Sequence, residues 1–238
     1  MIANVVLIVF AAASLHRAFP ALATQFQLAH PGVSVRFDFD GSEVLETQLE
    51  QGADADVFAS ADERWMSRAQ RADLVETPAV FARNQLAVLV GPKSSVRSLA
   101  DLALPGVSLD LCAASVPCGA YARAALASLS DGVAFPKDFG ARVLANVKSD
   151  ELNVDAVASK VELGEVDAGF AYTTDAAALQ ENGVREIEVP ASAQPTIEYP
   201  IAITKRSTRS ATAQAFVAFV QSKIGQQILH GFGFRPAQ

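Results

Sequence analysis

The sequence has few residues of the kinds that build metal centres, disulfide frameworks or nucleic-acid surfaces. Its 238 residues include two cysteines and three histidines, and its 26 acidic residues outnumber its 19 basic ones. His16, His30 and His230 lie far apart, and no Cys/His pair stands at ligand spacing, which argues against a bound zinc or iron ion. A net charge of -7 without a basic cluster argues against nucleic acid as a partner.

Long apolar runs are also scarce. No stretch approaches the ~20 apolar residues of a membrane span, and only residues 5–13, just before Ser14, resemble the apolar core of a secretion signal. Such a signal opens with positive charge, whereas the first cation here is Arg17. We therefore expect a first β-strand at this place and no export signal within this chain.

Strand-like and helix-like patterns alternate along the chain, which is typical of α/β proteins. Hydrophobic residues make up 50% of the sequence and charged residues 19%, as in compact globular proteins with one large domain or two lobes. Strands are predicted from 5 and from 33, and at 55–60, 85–91, 107–112, 167–172 and 197–203. Helices are predicted after Ser14, after Ser42, around Trp65, at 94–104, 119–129 and 211–229, and from Asn153 to Gly164.

Two serines stand at equivalent junctions in the first half of the chain. Ser14 ends an apolar run and precedes apolar residues at helical spacing, and Ser42 ends an alternating run and precedes Leu45 and Leu49. Each is predicted to be a helix N-cap. Two helix starts, each with unpaired N–H groups and roughly half a positive charge, could together hold an anion. The alternative is that both serines only cap their helices.

Three neighbours of these serines affect such a site. Pro20 is predicted to lie in the second turn of the first helix, where it removes a backbone donor and kinks the axis. Asp40 and Glu43 flank Ser42. Because a carboxylate would repel a bound dianion, we expect both side chains to point to solvent.

The two cysteines, Cys112 and Cys118, are close in sequence. They could form a disulfide that clamps a short loop, or remain two buried thiols. In the chain-entropy model so small a ring contributes about 2.4 kcal/mol. A disulfide would indicate an oxidising compartment outside the cytoplasm.

Four motifs together resemble the molybdate-binding proteins of ABC importers. They are residues 9–15, the Gly41-Ser42 pair with Leu45 and Gln48, residues 52–62, and residues 168–172 followed by Asp175. The resemblance covers nearly the whole chain. It implies an α/β, two-lobed fold like that of periplasmic binding proteins, in which each lobe is a mostly parallel sheet flanked by helices.

The resemblance also implies how the lobes are built and joined. Residues 1–84 and 200–238 would form lobe 1, residues 85–199 would form lobe 2, and the ligand cleft would lie between them. Two crossing strands would join the lobes near Asn84 and Gln85 and near Tyr199 and Pro200.

The ligand set implied by the resemblance consists of neutral hydrogen-bond donors. They are the hydroxyls of Ser14 and Ser42, the backbone N–H groups of Cys118 and Val154, and the phenol of Tyr172, with the backbone amides at 14 and 42 as additional donors. Such donors suit a fully deprotonated tetrahedral oxyanion, molybdate or tungstate. Molybdenum would enter only as this oxyanion, and no cofactor is expected. Sulfate or phosphate is the alternative ligand, and each residue has a purely structural alternative role.

The function implied is that of an extracytoplasmic solute-binding protein, not an enzyme. It would act as a monomer in the periplasm, or lipid-anchored on the outer face of the cytoplasmic membrane, and deliver its ligand to a membrane permease. A serine hydrolase would need a base, and His16 is the nearest histidine, with no Gly-x-Ser-x-Gly motif present. A ferric-ion binder would need adjacent tyrosines, and a sensor domain of a transcription regulator would need a preceding DNA-binding motif.

Overall fold

The structure is a computed structural model that describes residues 5–237. The chain divides into two compact units: unit 1 contains the described residues up to Arg83 and those from Glu198 onward, and unit 2 contains Asn84–Ile197. Asn84 therefore belongs to unit 2 and Tyr199 to unit 1, the reverse of the predicted assignment. Each unit contains a five-stranded sheet.

Strands and helices alternate along most of the described chain. The strands are β1 (Val5–Ala12), β2 (Val33–Asp40), β3 (Val57–Ala59), β4 (Ala79–Asn84), β5 (Leu86–Val90), β6 (Leu109–Cys112), β7 (Val147–Glu151), β8 (Ala168–Tyr172), β9 (Arg185–Glu188) and β10 (Ile197–Ile203). The helices are α1 (Ala18–Ala29), α2 (Ser42–Glu50), α3 (Glu63–Arg71), α4 (Pro117–Asp131), α5 (Phe139–Ala145), α6 (Val154–Leu163), α7 (Thr173–Leu179), α8 (Ser210–Gln221) and α9 (Lys223–Gly231).

Both sheets are mixed rather than mostly parallel. The strand order is β2-β1-β3-β10-β4 in unit 1 and β7-β6-β8-β5-β9 in unit 2. β1 is parallel to β2 and β3, and β6 is parallel to β7 and β8. β10 runs antiparallel to β3, and β5 runs antiparallel to β8 and β9. The predicted α/β class is confirmed, with parallel strands concentrated where the predicted site residues lie.

Each sheet is held by apolar side chains from its strands and helices. In unit 1, Phe19 and Phe26 of α1 pack against Phe216 of α8, with ring centroids 6.3 and 5.2 Å apart. A second cluster joins the sheet to α2 and α3 and includes Phe58 and Leu45. In unit 2 every residue of β5 is fully buried. Burying such side chains supplies the main favourable free energy of folding.

Several predicted elements differ from the observed ones. The segment 94–104 forms only a 3₁₀ turn at Leu99–Ala103, and β4, β7 and β9 were not predicted. The predicted helix 211–229 is two helices, because Ser222 is extended and its hydroxyl accepts the N–H of Gly225 at 3.1 Å as the N-cap of α9. Ile224, within the predicted helix, is 56% exposed.

Contrary to the prediction, Pro20 does not disrupt α1. It is the third residue of α1, within the first turn, where backbone N–H groups have no acceptor inside the helix. The proline therefore removes no helical hydrogen bond, and the predicted kink lacks its cause. No helix in the described residues is both long and apolar enough to cross a membrane.

Candidate functional site

Ser14 and Ser42 occupy equivalent positions after the carboxyl ends of two neighbouring strands of the unit 1 sheet. β1 and β2 are parallel and end in register, with Ala12 paired to Asp40. Each serine follows the last residue of its strand by two positions, and the two are only 6% and 1% exposed. The structure therefore brings both hydroxyls to the carboxyl ends of neighbouring strands, where open α/β sheets bind ligands.

Neither serine is the N-cap of a helix, contrary to prediction. Ser14 lies inside a single 3₁₀ turn, Ala13–Leu15, and α1 begins only at Ala18. The N-cap of α2 is Gly41, and Ser42 is the first helical residue. The dipole of α1 therefore does not act at Ser14, whereas the positive end of the α2 dipole lies at Ser42.

The Ser42 hydroxyl connects α2 to the end of β3. Its Oγ accepts the backbone N–H of Ala61 at 3.0 Å, and Ala61 follows β3, which pairs in parallel with β1. An N–H group can only donate, so Oγ acts as the acceptor in this bond. The hydroxyl proton of Ser42 has no acceptor within the described residues.

The Ser14 hydroxyl lies against a buried phenol. Its Oγ is 3.1 Å from the hydroxyl oxygen of Tyr199 on β10, and the Tyr199 side chain is fully buried. The ring packs edge-on against Phe81 and Phe234, with centroids 6.2 and 5.4 Å away. Packing therefore fixes the position of the phenol beside Ser14.

The carboxylates beside Ser42 lie at the start of α2, contrary to the prediction that both point to solvent. Asp40 Oδ1 accepts the N–H of Gly41 at 2.8 Å. The Glu43 carboxylate folds back over Gly41, and its Oε2 is buried with no hydrogen-bond partner among the described residues. The pKa of Glu43 is raised to about 7, mainly by burial. Its own backbone N–H lowers this pKa, whereas repulsion from Asp40 and Asp62 raises it further. An anion bound here would require Glu43 to be protonated or turned away.

In unit 2, the remaining three predicted residues also lie at the carboxyl ends of neighbouring strands. β6 lies between β7 and β8 and is parallel to both. Cys118 is the second residue of α4, which follows β6, and Val154 is the first residue of α6, which follows β7. Tyr172 is the last residue of β8. All three therefore follow or end neighbouring strands whose carboxyl ends point the same way.

These positions supply backbone donors at two helix starts. The first N–H groups of a helix have no acceptor inside it, and those of Cys118 and Val154 belong to this set. Asn153 caps α6 by accepting the N–H of Ala156 at 3.0 Å. The Tyr172 side chain is only 1% exposed, and its backbone N–H donates to Asp175 at 3.0 Å.

The start of α4 is held tightly against the end of β6. A disulfide joins Cys112 to Cys118, and a methyl group at Gly119 would collide with the carbonyl oxygen of Cys112. Arg123 donates to the same carbonyl at 2.8 Å and to Asp150, in β7, at 2.6 Å. Together these contacts fix the N–H of Cys118 relative to β6 and β7.

Sequence reasoning missed three of these contributors. Tyr199 lies 185 positions from Ser14, and no local pattern links residues so far apart. Ala61 contributes a backbone group, which its side chain does not reveal. Arg123 lies one helical turn after Gly119 and donates to its carbonyl at 3.2 Å, but an arginine in a helix is usually a solvated charge.

The rival functions, serine hydrolysis and ferric-ion binding, would need a histidine base or a cluster of metal ligands. His16 Nδ1 contacts the carbonyl oxygen of Ala13 at 3.0 Å, and its Nε2 accepts from Arg17 at 3.2 Å. Both ring nitrogens thus have partners within their own turn. Residues 5–237 contain no group of three or more His, Cys, Asp or Glu side chains placed to hold a metal ion.

Comparison with known proteins assigns the family. A family model described as bacterial extracellular solute-binding protein matches residues 7–235. The chain belongs to this family. A molybdate-binding protein ModA from Mycobacterium bovis is 39% identical over 96% of this chain and 84% of its own. The ModA of Haemophilus influenzae is 32% identical over 95% and 88%.

A solved structure of a molybdate-binding protein shares the fold of this solute-binding protein. The periplasmic molybdate-binding protein of Azotobacter vinelandii superposes with a TM-score of 0.83 at 22% identity, over 98% of this chain and all of its own. The predicted resemblance to molybdate-binding proteins is confirmed, since the relatives are named as molybdate-binding proteins. The roles of Ser14, Ser42, Cys118, Val154 and Tyr172 in ligand binding remain predictions.

Proposed function

We propose that this solute-binding protein captures molybdate outside the cytoplasm and delivers it to the membrane permease of an ABC importer. Relatives that cover nearly its whole length are named as molybdate-binding proteins. The observation that carries the proposal is the pair of buried hydroxyls, Ser14 and Ser42, placed in register at the ends of β1 and β2. Neutral donors at such a position suit a desolvated oxyanion.

We further propose that both units contribute donors to one ion in a cleft between them. Unit 1 would supply the hydroxyls of Ser14 and Ser42, and unit 2 the N–H groups of Cys118 and Val154 and the phenol of Tyr172. Each hydrogen bond to a charged group is worth roughly 1.5–3 kcal/mol net. Several together reach the ~8–12 kcal/mol of a micromolar to nanomolar complex, after the costs of closure.

The donor set also determines which anions fit. Molybdate, tungstate and sulfate carry no proton near neutral pH, so they need only donors. Monohydrogen phosphate carries one proton, which needs an acceptor, whereas this set mainly offers donors. Molybdate and tungstate are nearly equal in size and charge, so we propose that both bind, whereas sulfate must be distinguished by the size of the cavity.

Titration calorimetry with molybdate, tungstate, sulfate and phosphate tests this function. We expect strong binding of the first two anions, weaker binding of sulfate and the weakest binding of phosphate. Heat with phosphate and none with molybdate or tungstate would overturn the assignment. The protein should be dialysed extensively against oxyanion-free buffer beforehand, so that bound oxyanion from expression does not mask a response.

The location and assembly of the protein are part of the same proposal. We propose that it works in the periplasm or lipid-anchored on the outer face of the cytoplasmic membrane, where the Cys112–Cys118 disulfide is stable against reduction. We propose that it is a monomer with no cofactor. Light scattering should give the mass of one chain, 25.1 kDa, with and without molybdate.

A further inference from the structure

We propose that Tyr199 is a positioning residue that makes Ser14 a hydrogen-bond donor to the ligand. Its role deepens the proposed function and rests on it. The Tyr199 hydroxyl lies 3.1 Å from Ser14 Oγ, and both side chains are buried, at 0% and 6% exposed. The aromatic contacts with Phe81 and Phe234 hold the ring in place, so the phenol stays beside Ser14 whether or not a ligand is bound.

The direction of this hydrogen bond follows from the chemistry of the two hydroxyls. Each has one proton, so in a bound pair one donates and the other accepts. Phenol is the stronger acid, with a pKa near ~10, and therefore the better donor. When an oxyanion accepts the Ser14 proton, the remaining arrangement is phenol to serine to anion, in which each bond polarises the next.

Ser42 has the same arrangement, built with a backbone donor. The Ala61 N–H donates to Ser42 Oγ at 3.0 Å, so the Ser42 proton is directed elsewhere. Tyr199 does for Ser14 what Ala61 does for Ser42. In both cases a donor from unit 1 occupies one lone pair of the serine oxygen, and the serine proton remains for a ligand.

This arrangement disfavours ligands that carry a proton. A serine whose oxygen already accepts one hydrogen bond has only one of its two lone pairs left to accept another from monohydrogen phosphate. Without the Tyr199 hydroxyl, a second lone pair of the Ser14 oxygen becomes available as an acceptor. The Tyr199→Phe variant should therefore lose affinity for molybdate and lose less, or none, for phosphate of the same charge.

A double-mutant cycle with Tyr199→Phe, Ser14→Ala and the double variant tests the inference. Calorimetry should be done with molybdate and, at mildly alkaline pH, with monohydrogen phosphate. We expect Tyr199→Phe to weaken molybdate binding roughly tenfold in the wild-type background and less than about twofold in the Ser14→Ala background. The ratio of molybdate to phosphate affinity should fall in Tyr199→Phe. Phenylalanine keeps the ring that packs on Phe81 and Phe234, and thermal unfolding checks that the fold is retained.

The outcomes separate this inference from the proposed function. Unchanged molybdate affinity in Tyr199→Phe, or an equal loss with and without Ser14, would overturn the positioning role alone. An unchanged ratio of molybdate to phosphate affinity would overturn it too, because a merely structural defect weakens both ligands equally. A wild-type protein that binds neither molybdate nor tungstate would overturn the proposed function and this inference together.

Discussion

At the scale of single residues, Ser42 has two roles that one substitution removes together. Its oxygen accepts the Ala61 N–H at 3.0 Å, and its proton is proposed to bind the oxyanion. Ser42→Ala should weaken molybdate binding at least tenfold, as expected for losing a hydrogen bond to a charged group, and cost about 1 kcal/mol of stability. Calorimetry and urea unfolding measure the two effects.

Ser67 provides the matched control for this substitution. It lies on α3 and is half-buried, so Ser67→Ala changes a serine outside the proposed site. We expect its molybdate affinity to equal that of the wild type. Wild-type affinity in Ser42→Ala would remove Ser42 from the ligand set.

A buried carboxylate on α2 should make stability depend on pH. Glu46 is fully buried and lies 3.2 Å from Arg68 Nε of α3, and Arg68 also binds Glu50. Burial, followed by repulsion from Glu50, raises the pKa of Glu46 to about 7, although Arg68 lowers it. Between its ordinary value near 4.5 and about 7, the folded state therefore holds more protons than the unfolded state, and stability falls as pH rises through this window.

Glu46→Gln should flatten this dependence, because glutamine does not titrate. The measurement is urea unfolding of wild type and variant from below pH 5 to above pH 7. Glu63→Gln, an exposed change on α3, is the control and should keep the wild-type slope. A Glu46→Gln slope equal to that of the wild type would assign the effect to other groups, of which Glu43 is the first candidate.

At the scale of secondary-structure elements, the start of α6 allows a backbone donor to be removed without breaking the helix. Val154 is the first residue of α6, and Asn153 before it is extended, with φ -158° and ψ 169°. Proline is well accepted at the first helical position and requires an extended residue before it. Val154→Pro therefore deletes the proposed donor N–H while the cap by Asn153 stays in place.

Val154→Ala is the matched control, since it removes buried side-chain atoms and keeps the N–H. We expect Val154→Pro to bind molybdate at least tenfold more weakly than Val154→Ala, with similar thermal unfolding of both variants. Equal affinities in calorimetry would show that this amide does not contact the ligand.

Element boundaries show where local sequence patterns succeed. The cap of α6 at Asn153 and its end at Gly164 were predicted and are confirmed, because both signals are local: a side-chain acceptor and a glycine that adopts positive φ. The single predicted helix 211–229 was wrong, because its apolar pattern continues across Ser222 although the backbone does not. Strands β4, β7 and β9 depend on pairing partners distant in sequence, so their own residues gave little signal.

At the scale of the whole molecule, a ligand that binds only the folded protein must stabilise it. At a concentration about 100 times Kd the gain is about 2.7 kcal/mol, which corresponds to a rise in Tm of roughly 5–10 °C for a protein of this size. We expect such a rise with molybdate in thermal unfolding. Phosphate at the same concentration is the control and should produce none, and equal shifts with both anions would contradict the proposed selectivity.

The sequence by itself determined the α/β class, most of the strands and helices, and the positions of Ser14 and Ser42 after two strands, because periodicity and turn residues are local. Only the tertiary structure decided that Tyr199 contacts Ser14, that Ala61 donates to Ser42 and that Glu43 covers the start of α2. These contacts join residues across the sheet or depend on how a side chain folds back. Their geometry is set by strand pairing and packing, which no short stretch of sequence contains.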